Sequence, residues 1–73
     1  AYANMGKFHE AIECYSQTLR HESKDVPAWH NMGNAYEELG NYTEAIKCFT
    51  QAIKYDHEHY ESFFGRGSCY DSL

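Results

Sequence analysis

The sequence predicts an all-α fold, a solenoid of stacked helical repeats with a period of 34 residues. Two observations predict it. The first is self-similarity. Shifted by 34 residues, Ala1, Tyr2, Gly6, Glu10, Ala11, Ile12, Cys14 and Gln17 recur unchanged as Ala35, Tyr36, Gly40, Glu44, Ala45, Ile46, Cys48 and Gln51. Gly33, Tyr36 and Leu39 return as Gly67, Tyr70 and Leu73, with Phe63 in the place of Trp29. The second is hydrophobic periodicity, which is helical in every segment between short turns. A fixed period of this length marks units that bury their apolar faces against their neighbours, and such arrays present surfaces that hold something else.

The first helix reads from Phe8, Ala11, Ile12, Tyr15, Thr18 and Leu19, one face of a 3.6-residue helix, after a break at Gly6-Lys7. The turn His21–Asp25 leads to a second helix, Ala28–Leu39, with the stripe Ala28, Trp29, Met32, Ala35, Tyr36 and Leu39. Asp25 suits its N-cap, and Pro27 falls in the first turn, where a missing N–H costs nothing. Gly40 ends it, since glycine tolerates the left-handed conformation that closes many helices. Asn41 opens the third helix, with Glu44 placed to return a reciprocal carboxylate bond. Its stripe is Tyr42, Ala45, Ile46, Phe49, Ala52 and Ile53, the same offsets as the first helix. After the turn Asp56–His59, Tyr60–Leu73 copies the second helix, with Arg66 in place of Met32. The Arg66 stem can cover apolar surface while its charge reaches water.

Set in register, residues 1–25 are the C-terminal part of one repeat, 26–59 a complete repeat and 60–73 the first helix of a third. The chain therefore reads as a segment of a longer array, with adjacent repeats of that chain as its first partners and apolar faces bare at both ends. Its 73 residues bury only a thin core. With 42% hydrophobic and 16% aromatic residues it is not a disordered tail. Apolar runs are too short to span a membrane, and no secretory signal is visible. A net charge of −5 argues against nucleic acid and permits a basic partner. Cys14, Cys48 and Cys69 do not form a disulfide framework. Equivalent positions on stacked helices stand roughly 9–10 Å apart, beyond the ~7 Å a disulfide allows. All three are expected to be small buried thiols in a reducing, cytoplasmic setting.

Trp29-x2-Met32-Gly33-x2-Tyr36, then Ala45-x3-Phe49, then Ala52, closely resembles the tetratricopeptide repeat, or TPR, family. The family's closing Pro is replaced by His57, and by Ser23 one repeat earlier, and Thr18 stands where the family prefers a small Ala. Gly33 and Ala45 let paired helices approach, and Ala52 does the same against the next helix. Trp29, Tyr36 and Phe49 supply the area to bury. The resemblance implies a right-handed superhelix of antiparallel helix pairs whose first helices line a concave groove. It places Asn4, His30, Asn31, Asn34, Glu37, Glu38, Glu61, Phe64, Gly65, Ser68, Asp71 and Ser72 at groove positions.

The groove helices carry Glu37, Glu38, Glu61 and Asp71 against one base, Arg66, so this part of the groove is expected to be acidic and to steer a Lys/Arg-containing segment. Asn31 and Asn34 fall where some TPR proteins clamp a C-terminal carboxylate, but His30, Glu61 and Gly65 stand where that clamp needs bases. The two amides could instead hold a peptide backbone, since each donates and accepts, or simply meet water. His57-x-His59 is the only metal-like spacing and lacks a second pair nearby. His9, His21 and His30 read as surface positions. No thiol has a paired base in register, and no phosphate loop or catalytic constellation is present. No catalytic, cofactor or metal site is therefore expected. The expected function is a non-catalytic interaction scaffold whose groove binds a peptide or helix of a protein partner. The alternatives are a substrate-recruiting arm of a larger enzyme such as a glycosyltransferase, and a structural spacer in a large assembly.

Overall fold

A computed structural model describes residues 2–73, with side chains from Gly6 onward. Four helices follow one another: α1 (Tyr2–His21), α2 (Val26–Glu38), α3 (Tyr42–Tyr55) and α4 (Tyr60–Ser72), with no strand among the described residues. Each helix packs on the next, and α2 also reaches α4. The result is a plate of 34 × 31 × 15 Å, as expected of elements stacked in a row. The all-α repeat fold is as the periodicity requires.

The break expected at Gly6-Lys7 does not form; α1 runs through it from Tyr2. The contrast with Gly40-Asn41 explains why. Gly40 adopts φ +80° and donates to the Glu37 carbonyl at 3.0 Å, while Asn41 N–H reaches Tyr36 O at 2.9 Å. This pair of bonds closes α2 in a Schellman turn. Asn41 then accepts from Glu44 N–H at 3.4 Å to start α3. Lys7, the counterpart of Asn41, has no side-chain acceptor, so nothing restarts a helix after Gly6 and the ladder continues.

The reciprocal bond expected from Glu44 is also absent. The Asn41 N–H is already used by Tyr36, so the Glu44 carboxylate accepts from Lys47 Nζ instead, at 3.2 Å. At α2 the cap is as expected: Asp25 Oδ1 accepts from Ala28 N–H at 3.1 Å, with Pro27 in the first turn. Asp25→Ala should cost about 1 kcal/mol of stability. Asn41→Ala should cost less, because its bond is longer and the Schellman turn survives; urea denaturation of the two variants checks the order.

The core has two parts. Leu19, Ala28, Met32 and Cys48 join α1, α2 and α3, edged by Ile12, Tyr15, Trp29 and Tyr36. Ala45, Phe49 and Cys69 join α3 to α4, edged by Tyr36, Tyr42 and Ile46. Phe49, fully buried, lies between two glycines. A Cβ on Gly33 would stand 2.8 Å from the ring, and one on Gly65 would stand 2.6 Å from it. Gly65, which the resemblance places in the groove, is thus a packing residue.

The thiols divide differently from expectation. Cys48 and Cys69 are buried, but Cys14 is exposed. Leu19, Ala28 and Met32 cover Cys48, whereas nothing among the described residues covers Cys14 in that way. On α4, Tyr70 and Leu73 are largely exposed, the latter to 71%, and Phe63 is partly covered. The Arg66 guanidinium lies 5.4 Å from the Phe63 ring centre and donates to Thr50 Oγ1 at 3.5 Å. No helix of the described chain is long and apolar enough to cross a membrane.

Candidate functional site

Because α3 packs on both α2 and α4, it sets those two helices beside each other, and the groove expected from register would be the face they share. On α2 this face carries Asn31 and Glu38, exposed, and His30, Asn34 and Glu37, half-buried. On α4 it carries Glu61, Phe64, Ser68, Asp71 and Ser72, all exposed, with Phe64 open to 78%. The spacing of Glu61, Phe64, Ser68 and Asp71 puts them on one side of the helix. Asn4 lies outside the residues whose side chains are described.

Two groupings emerge. Asn31, Asn34 and Glu38 rim a cleft of about 230 Å³ against α1, floored by Phe8, Ala11, Tyr15 and Ala35. His30, Asn34 and Glu61 meet between α2 and α4: the His30 ring lies 3.1 Å from Asn34 Nδ2 and 3.6 Å from a Glu61 oxygen, both at Nε2. Glu37 is also close enough to Cys69 to raise its pKa. Among the exposed groups here, Glu38, Glu61 and Asp71 are acids, and Arg66 is engaged with Phe63 and Thr50.

The centre of the second grouping was not singled out from the sequence. Ser62, fully buried, lies 3.3 Å from His30 Nδ1 and 2.7 Å from His59 Nδ1. His30 is not a surface histidine. It is half-buried, its ring 5.0 Å from that of His59 and 5.7 Å from that of Phe49. His57 is exposed and His59 turns inward to Ser62, so the two do not form a metal-binding pair. Register carried the missed signal. His59 and Ser62 stand where the previous repeat has Asp25 and Ala28, so the position of a buried alanine holds a serine where the position of the capping aspartate holds a histidine. The His59 ring caps the Ser62 hydroxyl rather than a backbone N–H of α4.

The proton positions at His30 follow from the orientation of the Asn34 amide. With the Asn34 amide nitrogen donating to Nε2, His30 is neutral and carries its proton on Nδ1. Nδ1–H donates to Ser62 Oγ, and the Ser62 hydroxyl donates to His59 Nδ1. Burial, then the proximity of His59, lower the His30 pKa from its ordinary value, against the opposing pull of Glu61. The neutral ring this arrangement needs is therefore the favoured one.

Ser62 beside a histidine has the partners of a nucleophile, but its side chain is fully buried and wires two helices together. Burial and the nearby Glu44 push the Cys48 thiol up to about 12, and burial with Glu37 pushes Cys69 up to about 11, so neither is a thiolate near neutral pH. Among the described residues no group of His, Cys, Asp and Glu is placed to hold a metal ion.

A family model described as the tetratricopeptide repeat matches residues 26–59, and a second, described as the TPR repeat, matches residues 1–40. No curated protein sequence matches the chain significantly.

Proposed function

Since the chain belongs to the tetratricopeptide repeat family, whose repeats generally mediate protein–protein interaction, we propose that it is a non-catalytic scaffold and that the α2–α4 face binds a basic peptide or helix of a partner protein. The observation that carries the basic preference is the uneven charge of the two helices: Glu38, Glu61 and Asp71 stand exposed, while Arg66, the one Lys or Arg on α2 and α4, is engaged at Phe63 and Thr50. A field of one sign in a concave surface raises the encounter rate of the opposite sign. Phe64 supplies what charge alone lacks. A largely bare aromatic ring beside the acids offers an anchor of the kind that dominates binding energy at interfaces. Asn31 and Asn34 add amides that both donate and accept, suited to a peptide backbone. Two buried thiols and one exposed, all free, fit a reducing compartment.

An array of short peptides, some rich in Lys and Arg and some acidic, tests this reading. The chain should retain the basic members and release them as salt rises. Glu38→Lys, Glu61→Lys and Asp71→Lys together should weaken that binding about tenfold or more, at roughly 0.5 kcal/mol for each exposed charge. Phe64→Ala should weaken it without changing the salt dependence. Equal retention of acidic peptides, or indifference to the triple reversal, would sink the proposal.

A further inference from the structure

We propose that copies of this chain stack head to tail, α4 of one lying on α1 of the next, so that the half-repeats at the two ends of the chain join into a whole repeat between copies.

Register makes the two ends complementary. Residues 60–73 stand in register with 26–39, and residues 6–21 with 40–55. α4 is therefore the counterpart of α2, and α1 from Gly6 onward is the counterpart of α3. The chain already packs α2 on α3 inside its complete repeat, so α4 on α1 continues an interface that exists. Residues 60–73 and 6–25 together make one period of 34 residues. Gly6 to Leu73 spans two such periods, so a row of copies keeps the repeat in phase across every joint.

Both sides of the joint are present and uncovered. On α1 it is the cleft of about 230 Å³, floored by Phe8, Ala11 and Tyr15. Ala45 and Phe49, the counterparts of Ala11 and Tyr15, are fully buried, whereas Ala11 and Tyr15 are half-buried. The cleft is thus the seat of a helix like α2. On α4 the decisive residue is Gly67, the counterpart of Gly33. A Cβ on Gly33 would stand 2.8 Å from the Phe49 ring, while one on Gly67 would meet nothing within 4 Å. Tyr70 and Leu73 are 58% and 71% exposed, where their counterparts Tyr36 and Leu39 are half-buried. Docking α4 on α1 brings the empty face of Gly67 to the ring of Tyr15, as Gly33 meets Phe49.

A single copy does not close this seat on itself. α1 runs straight from Tyr2 through Gly6, so residues 2–5 extend the helix and do not double back along Phe8, Ala11 and Tyr15. Among the described residues α4 makes no contact with α1 of its own copy. The occupant that fits by register is α4 of a second copy. Because the two surfaces differ, the joint is heterologous and passes from copy to copy in a row or a closed ring.

Two exposed residues gain cover in this arrangement. Cys14 is exposed, but its counterpart Cys48 is buried under Leu19, Ala28 and Met32. Stacking sets Ile53, Ser62 and Arg66 of the second copy at the corresponding positions around Cys14. Phe64, 78% exposed, is the counterpart of the half-buried His30. A ring free to hold a peptide in a lone copy thus becomes a packing residue against α2 of the next. The joint itself needs no peptide, and its test uses none.

The test follows the mass of the chain by sedimentation from micromolar to millimolar concentration. The mean mass should climb from one copy to several. Ala11→Arg obstructs the α1 seat and Gly67→Arg the α4 side; neither residue belongs to the buried core, and circular dichroism checks that each variant stays helical. Each variant alone should remain a single copy. Mixed in equal amounts they should form a pair and stop there, since one keeps a free α4 and the other a free α1. In the unmodified chain, labelling of Cys14 by a maleimide should slow severalfold as concentration rises, which decides the matter where a variant loses its helices. An unmodified chain that stays single at millimolar concentration overturns the proposal and leaves both seats to flanking repeats of a longer chain. Helical variants that stay single when mixed, or that assemble alone as the unmodified chain does, also overturn it. So does an unchanged rate of Cys14 labelling while the mass climbs.

Discussion

Phe49→Ala is expected to abolish the cooperative thermal melt of this chain. The side chain is fully buried and touches the backbone of two helices besides its own, at Gly33 and Gly65. Truncating a buried Phe costs ~3–5 kcal/mol. A single small core rarely supplies more than about 3–5 kcal/mol in total, so the loss matches the whole of what is available. Circular dichroism against temperature reads the outcome directly. The two glycines refine it. Gly33→Ala and Gly65→Ala each gain up to ~1 kcal/mol of helix propensity, but each new methyl meets the Phe49 ring well inside contact distance. The ring cannot retreat from one glycine without approaching the other, so overpacking at ~1–3 kcal/mol should win. In a Phe49→Leu background that penalty should shrink, which makes the coupling measurable by a double-mutant cycle. Stabilisation by either alanine in the unmodified chain would refute the close approach.

Trp29→Ala carries the next largest effect. The indole edges the α1–α2 core beside Leu19, Met32 and Cys48, and its Nε1–H donates to Ser23 O at 2.8 Å. That bond pins the turn between α1 and α2. Trp29 is only half-buried, so the cost should fall at the lower end of the range for a large aromatic, about 3 kcal/mol. Trp29→Phe keeps most of the apolar area and loses the bond, which should cost about 1 kcal/mol. Equilibrium denaturation followed by far-ultraviolet dichroism suits the measurement, since the variants remove the chain's one tryptophan. Equal losses in the two variants would mean that the bond to Ser23, and not the buried area, holds this corner.

Much of the fold could be read from residue pattern because each feature was local. Asp25, Pro27 and Gly40 act on their own turn of backbone, and the structure finds them as caps and stop. The stripe Tyr42–Ile53 needs only helical periodicity. Errors arose where two local signals competed. Gly6 matches Gly40, but a stop also needs a restart, and Lys7 offers none. Glu44 matches a capping carboxylate, but its target N–H had been taken by the preceding turn. The site was less legible for a different reason. Exposed residues on α2 and α4 follow from register, whereas the His30–Ser62–His59 chain depends on residues 32 and 3 positions apart meeting across three elements. The three-residue step from His59 to Ser62 is local to one helix start, but no helical period brings His30 to them. Only the change from Asp25 and Ala28 to His59 and Ser62, one repeat on, marks the place.

The placement of Phe49 has a consequence for how such a chain is divided. The sequence repeats from Val26 to His59, and the matched repeat model covers the same span. The ring at Phe49, however, is seated by Gly33 inside that span and by Gly65 beyond it. The unit that recurs and the unit that packs are therefore out of phase by one helix. Duplication or excision of a span cut at His59 preserves this seat only where the incoming helix brings a glycine at the position of Gly65. A bulkier residue there would meet the ring first, so drift at Gly33, Phe49 and Gly65 is bound to a common history.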